Sequence, residues 1–251
     1  MNKHIIITAR SNSSRLRNKI LAQITKKHKT IDVIINRALK TKFPICLATS
    51  DHKSDDKLVN YVKRNYKIKI FRGSKNNKIS RWVKCIKKLN ADCVGLVDGD
   101  DLSFDYTLYN KYLKKFSKKN RCDIYKFPNN IVTGSFTYVV TAKALNLINA
   151  KTEKLKKVDV IEFFLKYVKN IEEIKVKKQL KNKNIRLTMD YIDDLEFFKV
   201  LYKNLNITEK TSKIISFLEK NVYIKNLNYH LEESWRKNQL KEIRLHEKNK
   251  F

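Results

Sequence analysis

The first 120 residues of the chain alternate between short apolar runs and segments of helical periodicity. Four apolar runs have the length of strands: Ile5–Thr8, Ile45–Ala48, Lys67–Phe71 and Cys93–Val97. Between them, apolar residues recur at helical spacing in Ile31–Lys40, Asp55–Arg64 and Lys78–Leu89. Alternation of this kind predicts an α/β fold with a doubly wound, mostly parallel sheet, which binds its ligands at the carboxyl ends of the strands.

The remainder of the chain is less regular. After a helix at Asp105–Phe116, strands are predicted at Cys122–Phe127, Ser135–Val140 and Ile185–Met189. Helices are predicted at Ala142–Ile148, Val158–Val168, Tyr191–Leu205 and Thr211–Asn221. With four Gly and two Pro in the whole chain, no flexible linker is indicated. We therefore expect one main domain at 1–208 with a small inserted subregion at about 122–180, followed by a helical C-terminal extension at 209–251.

The chain is strongly basic, with a formal net charge of +31. Lysines are spread over the whole sequence, and the dense stretches at Lys111–Lys119 and Lys175–Lys183 have the pattern of solvated helix faces or loops. Biased composition explains this distribution better than a nucleic-acid site, so we expect no specific nucleic-acid partner. The charge should still favour anionic substrates. A basic module that binds nucleic acid or a membrane surface without catalysis is the non-enzymatic alternative.

Cysteine usage and hydropathy both favour an intracellular protein. Cys46, Cys85, Cys93 and Cys122 lie far apart without a Cys-x-x-Cys pair, which favours buried free thiols over zinc ligands. No apolar run reaches the roughly 18 residues of a membrane span. The apolar run that follows Met1–His4 is too short for a signal peptide. We expect a cytoplasmic location.

A polar, cationic loop follows the first predicted strand. From Thr8 to Lys19 the sequence is Thr-Ala-Arg-Ser-Asn-Ser-Ser-Arg-Leu-Arg-Asn-Lys, with small polar residues between cations. Backbone N–H groups of such a loop can bind phosphate oxygens, and Arg and Lys side chains can neutralise their charge. A merely solvated basic loop is the alternative, but the position at a strand's carboxyl end favours phosphate binding.

Two acidic segments follow later strands. Asp98-Gly99-Asp100-Asp101 ends the fourth strand, where carboxylates could hold Mg²⁺ together with phosphates, although an Asp-rich turn is the simpler alternative. Asp190, Asp193 and Asp194 follow the last predicted strand. Considered alone, these three are best explained as the cap and first turn of the next helix.

These segments belong to a longer series of short motifs. In chain order the motifs are Ala9-Arg10, Ser13, Arg15-Leu16, Lys19-Ile20-Leu21, Leu47-Ala48-Thr49-Ser50, Asp55-Asp56-Lys57-Leu58, Phe71-Arg72-Gly73-Ser74, Ser80-Arg81-Trp82, Gly99-Asp100, Arg186-Leu187-Thr188-Met189-Asp190 and Asp193-Asp194-Leu195-Glu196. Their order resembles that of the cytidylyltransferases that activate acidic sugars, the family of the 3-deoxy-manno-octulosonate and N-acylneuraminate enzymes. The likeness is closest to the spore-coat polysaccharide biosynthesis branch. It spans about residues 4–205 and is weaker at 221–237.

The resemblance implies a fold, a reaction and a set of site residues. The fold is a Rossmann-like sheet of the nucleotide-diphospho-sugar transferase type. The reaction couples CTP to a sugar acid, giving a CMP-sugar and pyrophosphate for surface polysaccharide synthesis, and the assembly is a homodimer. Mg²⁺ is the implied cofactor, held by Asp100 and Asp190, which we expect to lie outside the core. The residues implied to bind nucleotide are Ala9, Arg10, Ser13, Arg15, Lys19, Arg81 and Asp98, and catalysis is assigned to Arg15, Lys19 and Asp100.

The sequence departs from the family pattern at several positions. Asn12 replaces a usual Gly and Arg17-Asn18 a usual Pro-Gly, while Leu102 replaces a common Pro. On the sugar side, residues 134–140 lack the acidic residue expected near Tyr138, and Val158-Asp159-Val160 replaces Glu-His-Val. The identity of the sugar therefore stays open, as does the effect of these changes on activity.

An enzymatic alternative uses the same carboxylates. Asp98-Gly99-Asp100 is also an Asp-x-Asp sequence, which resembles the metal motif of glycosyltransferases that use nucleotide-sugars on a related fold. Such an enzyme would not need the loop from Arg10 to Lys19 or the segment from Leu187 to Glu196.

Overall fold

Seven strands form one mixed sheet in the computed structural model, which describes residues 1–13, 15–117, 121–155, 157–181 and 184–248. Ser14 and the ends of both lysine-rich stretches, at 118–119 and 182–183, lie outside these described residues. The strands are β1 (Lys3–Thr8), β2 (Ile45–Ser50), β3 (Lys69–Gly73), β4 (Cys93–Asp98), β5 (Ile124–Lys126), β6 (Tyr138–Thr141) and β7 (Ile171–Glu173).

The α-helices of the described residues cover both faces of this sheet. They are α1 (Thr30–Leu39), α2 (Asp56–Asn65), α3 (Lys78–Leu89), α4 (Tyr106–Lys115), α5 (Ala142–Thr152), α6 (Ile192–Asn204), α7 (Thr211–Lys220), α8 (Val222–Tyr229) and α9 (Glu232–Lys248). Short 3-10 helices lie at Lys19–Leu21, Lys53–Asp55, Glu162–Tyr167 and Lys178–Leu180.

The strand order is β3-β2-β1-β4-β6-β5-β7. Strands β1 to β4 are mutually parallel, and β6 pairs antiparallel with both β4 and β5. β1 lies inside the sheet between β2 and β4, and its Ile5, Ile6 and Ile7 are fully buried, as a parallel strand covered on both faces requires. The predicted doubly wound, mostly parallel sheet with a helical C-terminal tail is confirmed, and its reversal of direction at β6 marks the inserted part.

Two hydrophobic clusters, one formed with each face of the sheet, stabilise the domain. One contains Ile5 and Ile7 of β1, and the other contains Ile6 together with Trp82 of α3. All four cysteines are buried thiols outside disulfide bonds, which confirms their interpretation. Within the described residues no helix has the combined length and apolarity needed to cross a bilayer.

Side chains at helix starts fix the helices close to the predicted positions. The Asn77 side chain accepts a hydrogen bond from the Ser80 N–H, and Asp105 accepts from Thr107 and Leu108. Such caps satisfy backbone donors that the first helical turn leaves unpaired. Helices α3 and α4 therefore begin next to the strands whose ends form the site described below.

Two predicted elements are wrong. The segment predicted as a helix at Val158–Val168 is extended at Val158, which exchanges backbone hydrogen bonds with Asn76 and Lys78, and only Glu162–Tyr167 forms a short 3-10 helix. The β-branched residues at the start of this segment favour extended backbone. Ile185–Met189 is not a ladder strand either, because only Arg186 makes an isolated bridge, to Thr133.

The C-terminal extension packs onto the main domain. Ile214, Ile215 and Leu218 of α7 belong to the same buried cluster as β1. Beyond α7, Asn228 and Glu232 are buried polar residues, although the sequence there indicates only a charged tail with few apolar positions. The proposed domain limits at 208 and at 122–180 stay predictions.

Candidate active site

The carboxyl ends of β1 and β4 meet at Thr8 and Asp98, which are register partners. The Gly99 N–H donates to the Thr8 carbonyl at 2.8 Å, and a Cβ at Gly99 would lie 2.8 Å from the Ala9 Cβ. Only glycine allows this close approach of the two chain segments. The cationic loop after β1 and the acidic segment after β4 are thereby brought side by side.

A buried carboxylate anchors the loop. Asp55 accepts hydrogen bonds from the Ser11 N–H at 2.6 Å, from the Thr49 hydroxyl at 3.0 Å, and from both the N–H and the hydroxyl of Ser50. Burial alone would raise the pKa of Asp55, but these hydrogen bonds outweigh it and lower the pKa. The loop is therefore tied to the end of β2.

Asparagine supplies the loop's unusual backbone conformation. Asn18 has a φ of 55°, in the left-handed region, and its N–H donates to the Ser11 carbonyl at 3.2 Å. Asparagine tolerates this region better than most residues, so it can occupy a position where the resembling family has Gly. Asn12, also at a usual Gly position, is not among the described residues with positive φ.

A cavity of about 740 Å³ opens at this edge of the sheet. It is lined by every residue to which the sequence assigns a role: Ala9, Arg10, Ser13, Arg15, Lys19, Arg81, Asp98, Asp100 and Asp190. Its size is that of a pocket for a small organic ligand.

Lys19 connects the loop to two carboxylates. Its ammonium lies 3.1 Å from Asp100 and 2.9 Å from Asp190, and it also donates to the Met189 carbonyl at 2.8 Å. Burial alone would lower the pKa of Lys19, but the charges of Asp100 and Asp190 outweigh it and raise the pKa. Lys19 is therefore a cation fixed at the centre of the site.

Asp190 is a core residue, which contradicts the expectation from sequence. It is 1% exposed and accepts a 2.7 Å hydrogen bond from Arg15, whose guanidinium also lies 5.7 Å from the Tyr191 ring. Burial would raise the pKa of Asp190, yet Lys19 and Arg15 lower it to about 2. The carboxylate is thus held ionised by two loop cations.

The acidic segment after β4 offers oxygen atoms to a cation. Carboxylate oxygens of Asp98, Asp100 and Asp101 lie within 4.8 Å of one another. Burial raises the pKa of both Asp98 and Asp101, and for Asp98 the salt bridge to Lys78 at 2.6 Å opposes that effect. Hard oxygen donors at this spacing fit Mg²⁺. Asp190 is connected to the group through Lys19, and its role as a ligand stays a prediction.

Arg10 of the loop and Arg81 of α3 also line the cavity. Arg10 donates to the Lys75 carbonyl at 2.5 Å and to Asp159 at 3.2 Å. Arg81 donates to the Ser74 carbonyl at 2.6 Å, while its buried Nε has no hydrogen-bond partner among the described residues. Burial, with the charge of Arg10, lowers the pKa of Arg81 to about 10. A ligand acceptor atom at this wall would satisfy the Arg81 donor.

An acidic residue that the sequence did not indicate lies beside Tyr138. The Tyr138 hydroxyl donates to Glu162, and both residues line the cavity. Glu162 comes from the segment predicted as a regular helix, which explains why its position was missed.

The C-terminal helix α9 also reaches the cavity, through Trp235, Arg236 and Gln239. Its Glu232 forms a 3.2 Å salt bridge with the buried Arg186. The motif that begins at Arg186 could be recognised in the sequence, but nothing in the sequence around Glu232 predicted its contact with Arg186.

A doubly wound sheet with a cationic loop and carboxylates at its carboxyl edge is suited to bind a phosphorylated ligand there. The sequence matches the family described as Cytidylyltransferase over residues 4–242. The chain belongs to the cytidylyltransferase family and is a nucleotidyltransferase, which confirms the resemblance and disfavours the glycosyltransferase and non-catalytic alternatives.

Two relatives are similar along most of their length. An uncharacterized protein of Methanocaldococcus jannaschii is 30% identical over 230 residues, covering 89% of this chain and 93% of the relative. The spore coat polysaccharide biosynthesis protein SpsF of Bacillus subtilis is 24% identical over 234 residues, with 86% and 93% covered.

Two solved structures share the fold. A cytidylyltransferase from Leptospira borgpetersenii superposes with a TM-score of 0.78 at 21% identity, covering 90% of this chain and 98% of that one. A CMP:2-keto-3-deoxy-manno-octonic acid synthetase complexed with CTP gives a TM-score of 0.60 at 17% identity, with 81% and 99% covered.

Proposed function

We propose that this enzyme couples CTP to a sugar acid and releases pyrophosphate, supplying a CMP-sugar for surface polysaccharide synthesis. The observation that carries the proposal is the position of Lys19. This residue belongs to the cationic loop after β1, and its ammonium contacts both Asp100 and Asp190 inside one cavity. The names of two similar proteins support the substrates, since one is a spore coat polysaccharide biosynthesis protein and the other a CMP-sugar-acid synthetase complexed with CTP.

The loop residues would bind the triphosphate. Arg10, Arg15 and Lys19 line the same side of the cavity as Ser13, and together they present cations and polar groups to phosphate oxygens. The acceptor hydroxyl would attack the α-phosphorus, so that a new P–O bond forms while the bond to the leaving pyrophosphate breaks. Lys19 and Arg15 would neutralise the negative charge that develops on the leaving oxygens.

The carboxylates fit a divalent ion. Asp100 would hold Mg²⁺ together with Asp190, and the oxygen-only donor set of the segment after β4 agrees with this choice of metal. Held there, the ion would supply positive charge that reduces the repulsion between the phosphate groups and an incoming nucleophile.

The remaining walls would select base and acceptor. Arg81 and Asp98 are proposed to lie near the cytosine. Tyr138 and Glu162, on the side away from the loop, offer hydroxyl and carboxylate groups that suit the hydroxyls of a sugar. The homodimer stays a prediction that light scattering after size-exclusion chromatography would measure.

Binding calorimetry with CTP, UTP, ATP and GTP, each with and without Mg²⁺, tests the proposal. We expect Mg²⁺-dependent preference for CTP, followed by pyrophosphate release when 2-keto sugar acids are added. Preference for UTP or a nucleotide-sugar would contradict cytidylyl transfer. Equal binding of all four nucleotides that weakens steeply with salt would show that net charge alone drives it.

A further inference from the structure

Arg186 is a fully buried cation surrounded by carboxylates. Its Nε and Nη2 donate to the two oxygens of Asp194 at 2.9 and 3.2 Å, and its Nη1 donates to Glu232 at 3.2 Å. Burial alone would lower the pKa of Arg186, but Asp194, Asp190 and Glu232 outweigh it and raise the pKa. The guanidinium is therefore charged and held from two sides.

Asp190 is the third carboxylate beside Arg186, and it is held differently. Its Oδ2 lies 3.7 Å from the Arg186 Nη2, beyond a hydrogen bond, while its Oδ1 accepts from Arg15 and Lys19 on the cavity side. Arg186 thus satisfies its donors on Asp194 and Glu232, and Asp190 can direct an oxygen toward the cavity.

Glu232 reaches this cluster from the C-terminal helix α9. It is 6% exposed, and its other oxygen accepts from the Thr133 hydroxyl at 2.6 Å and from the Arg236 Nε at 2.8 Å. The ring of Trp235, one turn further along α9, lies 5.2 Å from the Arg186 guanidinium carbon. The hydrogen bonds from Thr133, Arg186 and Arg236 fix the Glu232 carboxylate in one place.

We propose that Glu232 is a positioning residue for the metal site: by occupying one arm of Arg186 it keeps that guanidinium from hydrogen-bonding Oδ2 of Asp190, and this oxygen can then hold the divalent cation of the nucleotide complex. This inference rests on the proposed function. In the cluster, four cations face four carboxylates: Arg15, Lys19, Arg186 and Arg236 against Asp100, Asp190, Asp194 and Glu232. Neutralising Glu232 leaves one positive charge in excess and turns Arg186 toward Asp190. Both effects weaken the binding of a further cation at this site.

The test compares Glu232→Gln with Glu233→Gln. Glu233 is the adjacent residue on α9, but it is exposed, and its ion pair within the described part of the chain is with Lys237. CTP binding is measured by calorimetry over a series of Mg²⁺ concentrations, beside thermal unfolding of each variant. We expect Glu232→Gln to raise the Mg²⁺ concentration for half-maximal CTP binding by about tenfold, and Glu233→Gln to behave as wild type.

A milder variant serves if Glu232→Gln folds poorly. Thr133→Val removes the hydroxyl that holds Glu232 while the carboxylate stays, so a smaller shift of the Mg²⁺ dependence in the same direction is expected. An unchanged Mg²⁺ dependence in the folded variants, or CTP binding weakened equally at every Mg²⁺ concentration, overturns the role of Glu232. If CTP binding by the wild-type protein does not depend on the Mg²⁺ concentration, both the metal site and the positioning role of Glu232 are overturned.

Discussion

The ammonium of Lys19 lies 2.9 Å from Oδ1 of Asp190, although 171 positions separate the two residues in sequence. The loop after β1 is thereby joined to the segment that precedes α6. Met189 extends the connection, since its carbonyl accepts from Lys19 and its N–H donates to the Asp100 carbonyl at 2.8 Å. Three chain segments consequently share one cation, and removal of that cation should affect all of them.

Lys19→Met should lower turnover by about 10²–10³-fold, the loss typical for a donor that stabilises transition-state charge. Asp190 and Asp100 would also lose their shared partner, so weaker CTP binding is expected. Lys27→Met, at an exposed position, is the control and should leave turnover unchanged. Measured initial rates of pyrophosphate release that are equal for Lys19→Met and wild type would refute the assigned role.

Asp190→Asn and Asp100→Asn should both abolish Mg²⁺-dependent turnover but differ in stability. Asp190 is buried with Arg15 and Lys19, so its neutralisation should cost about 3 kcal/mol. The Asp100 side chain is 29% exposed and, among the described residues, forms its salt bridge with Lys19, so its neutralisation should cost about 1 kcal/mol or less. Denaturant unfolding measures both costs, and equal costs would contradict the burial argument.

Much of the site follows from the strand–helix alternation in the sequence. Four parallel strands were predicted nearly at their observed positions, although β3 begins at Lys69 and not Lys67. Because adjacent parallel strands end at the same sheet edge, the loop after β1 and the segment around Asp100 had to be neighbours. The metal role of Asp190 came only from the family resemblance, because helix capping is the better explanation when this residue is considered alone.

Other contacts of the site could not be predicted from the sequence pattern around the residues that form them. Glu232 meets Arg186 across 46 positions, in a part of the chain whose apolar residues are sparse. Only tertiary packing of α9 against the domain places it there. Glu162 lay inside a segment that periodicity wrongly assigned to a regular helix, so its contact with Tyr138 could not be derived. The burial of Asp190 likewise depends on the cations that surround it.

Stability should fall in acid partly through Asp190. The pKa of Asp190 is about 2 in the folded protein and about 3.9 in an unfolded chain. A lowered folded-state pKa means that the contribution is present above about pH 4 and is lost as the pH falls through about 2; its size is about 3 kcal/mol. The difference in unfolding free energy between wild type and Asp190→Asn should therefore shrink over this interval. A difference that stays constant with pH would contradict it.

Asn18 should tolerate glycine but not alanine. At a φ of 55° the side chain of Ala would be strained, so Asn18→Ala is expected to destabilise the protein by about 1 kcal/mol. Asn18→Gly relieves that strain and should remain within about 0.5 kcal/mol of wild type. Arg17→Ala, at the exposed neighbouring position without positive φ, is the control. Thermal or denaturant unfolding gives the comparison, and equal stability of the Ala and Gly variants would show that the conformation carries no strain.

Trp235 should act on the acceptor and not on the nucleotide. Its ring lines the cavity from α9, whereas the loop residues proposed to bind CTP lie on β1's side. Trp235→Ala should therefore raise the KM for the sugar acid by about tenfold, the scale of a lost apolar contact in a specificity pocket, with CTP affinity nearly unchanged. Trp235→Phe keeps a ring over Arg186 and should recover most of the loss.

Tyr223→Ala, which removes an aromatic ring that is 80% exposed on α8, is the matched control. Initial rates at saturating CTP over a range of acceptor concentrations measure the effect. If CTP affinity falls as steeply as the acceptor KM rises, Trp235 supports the whole site and does not select the acceptor.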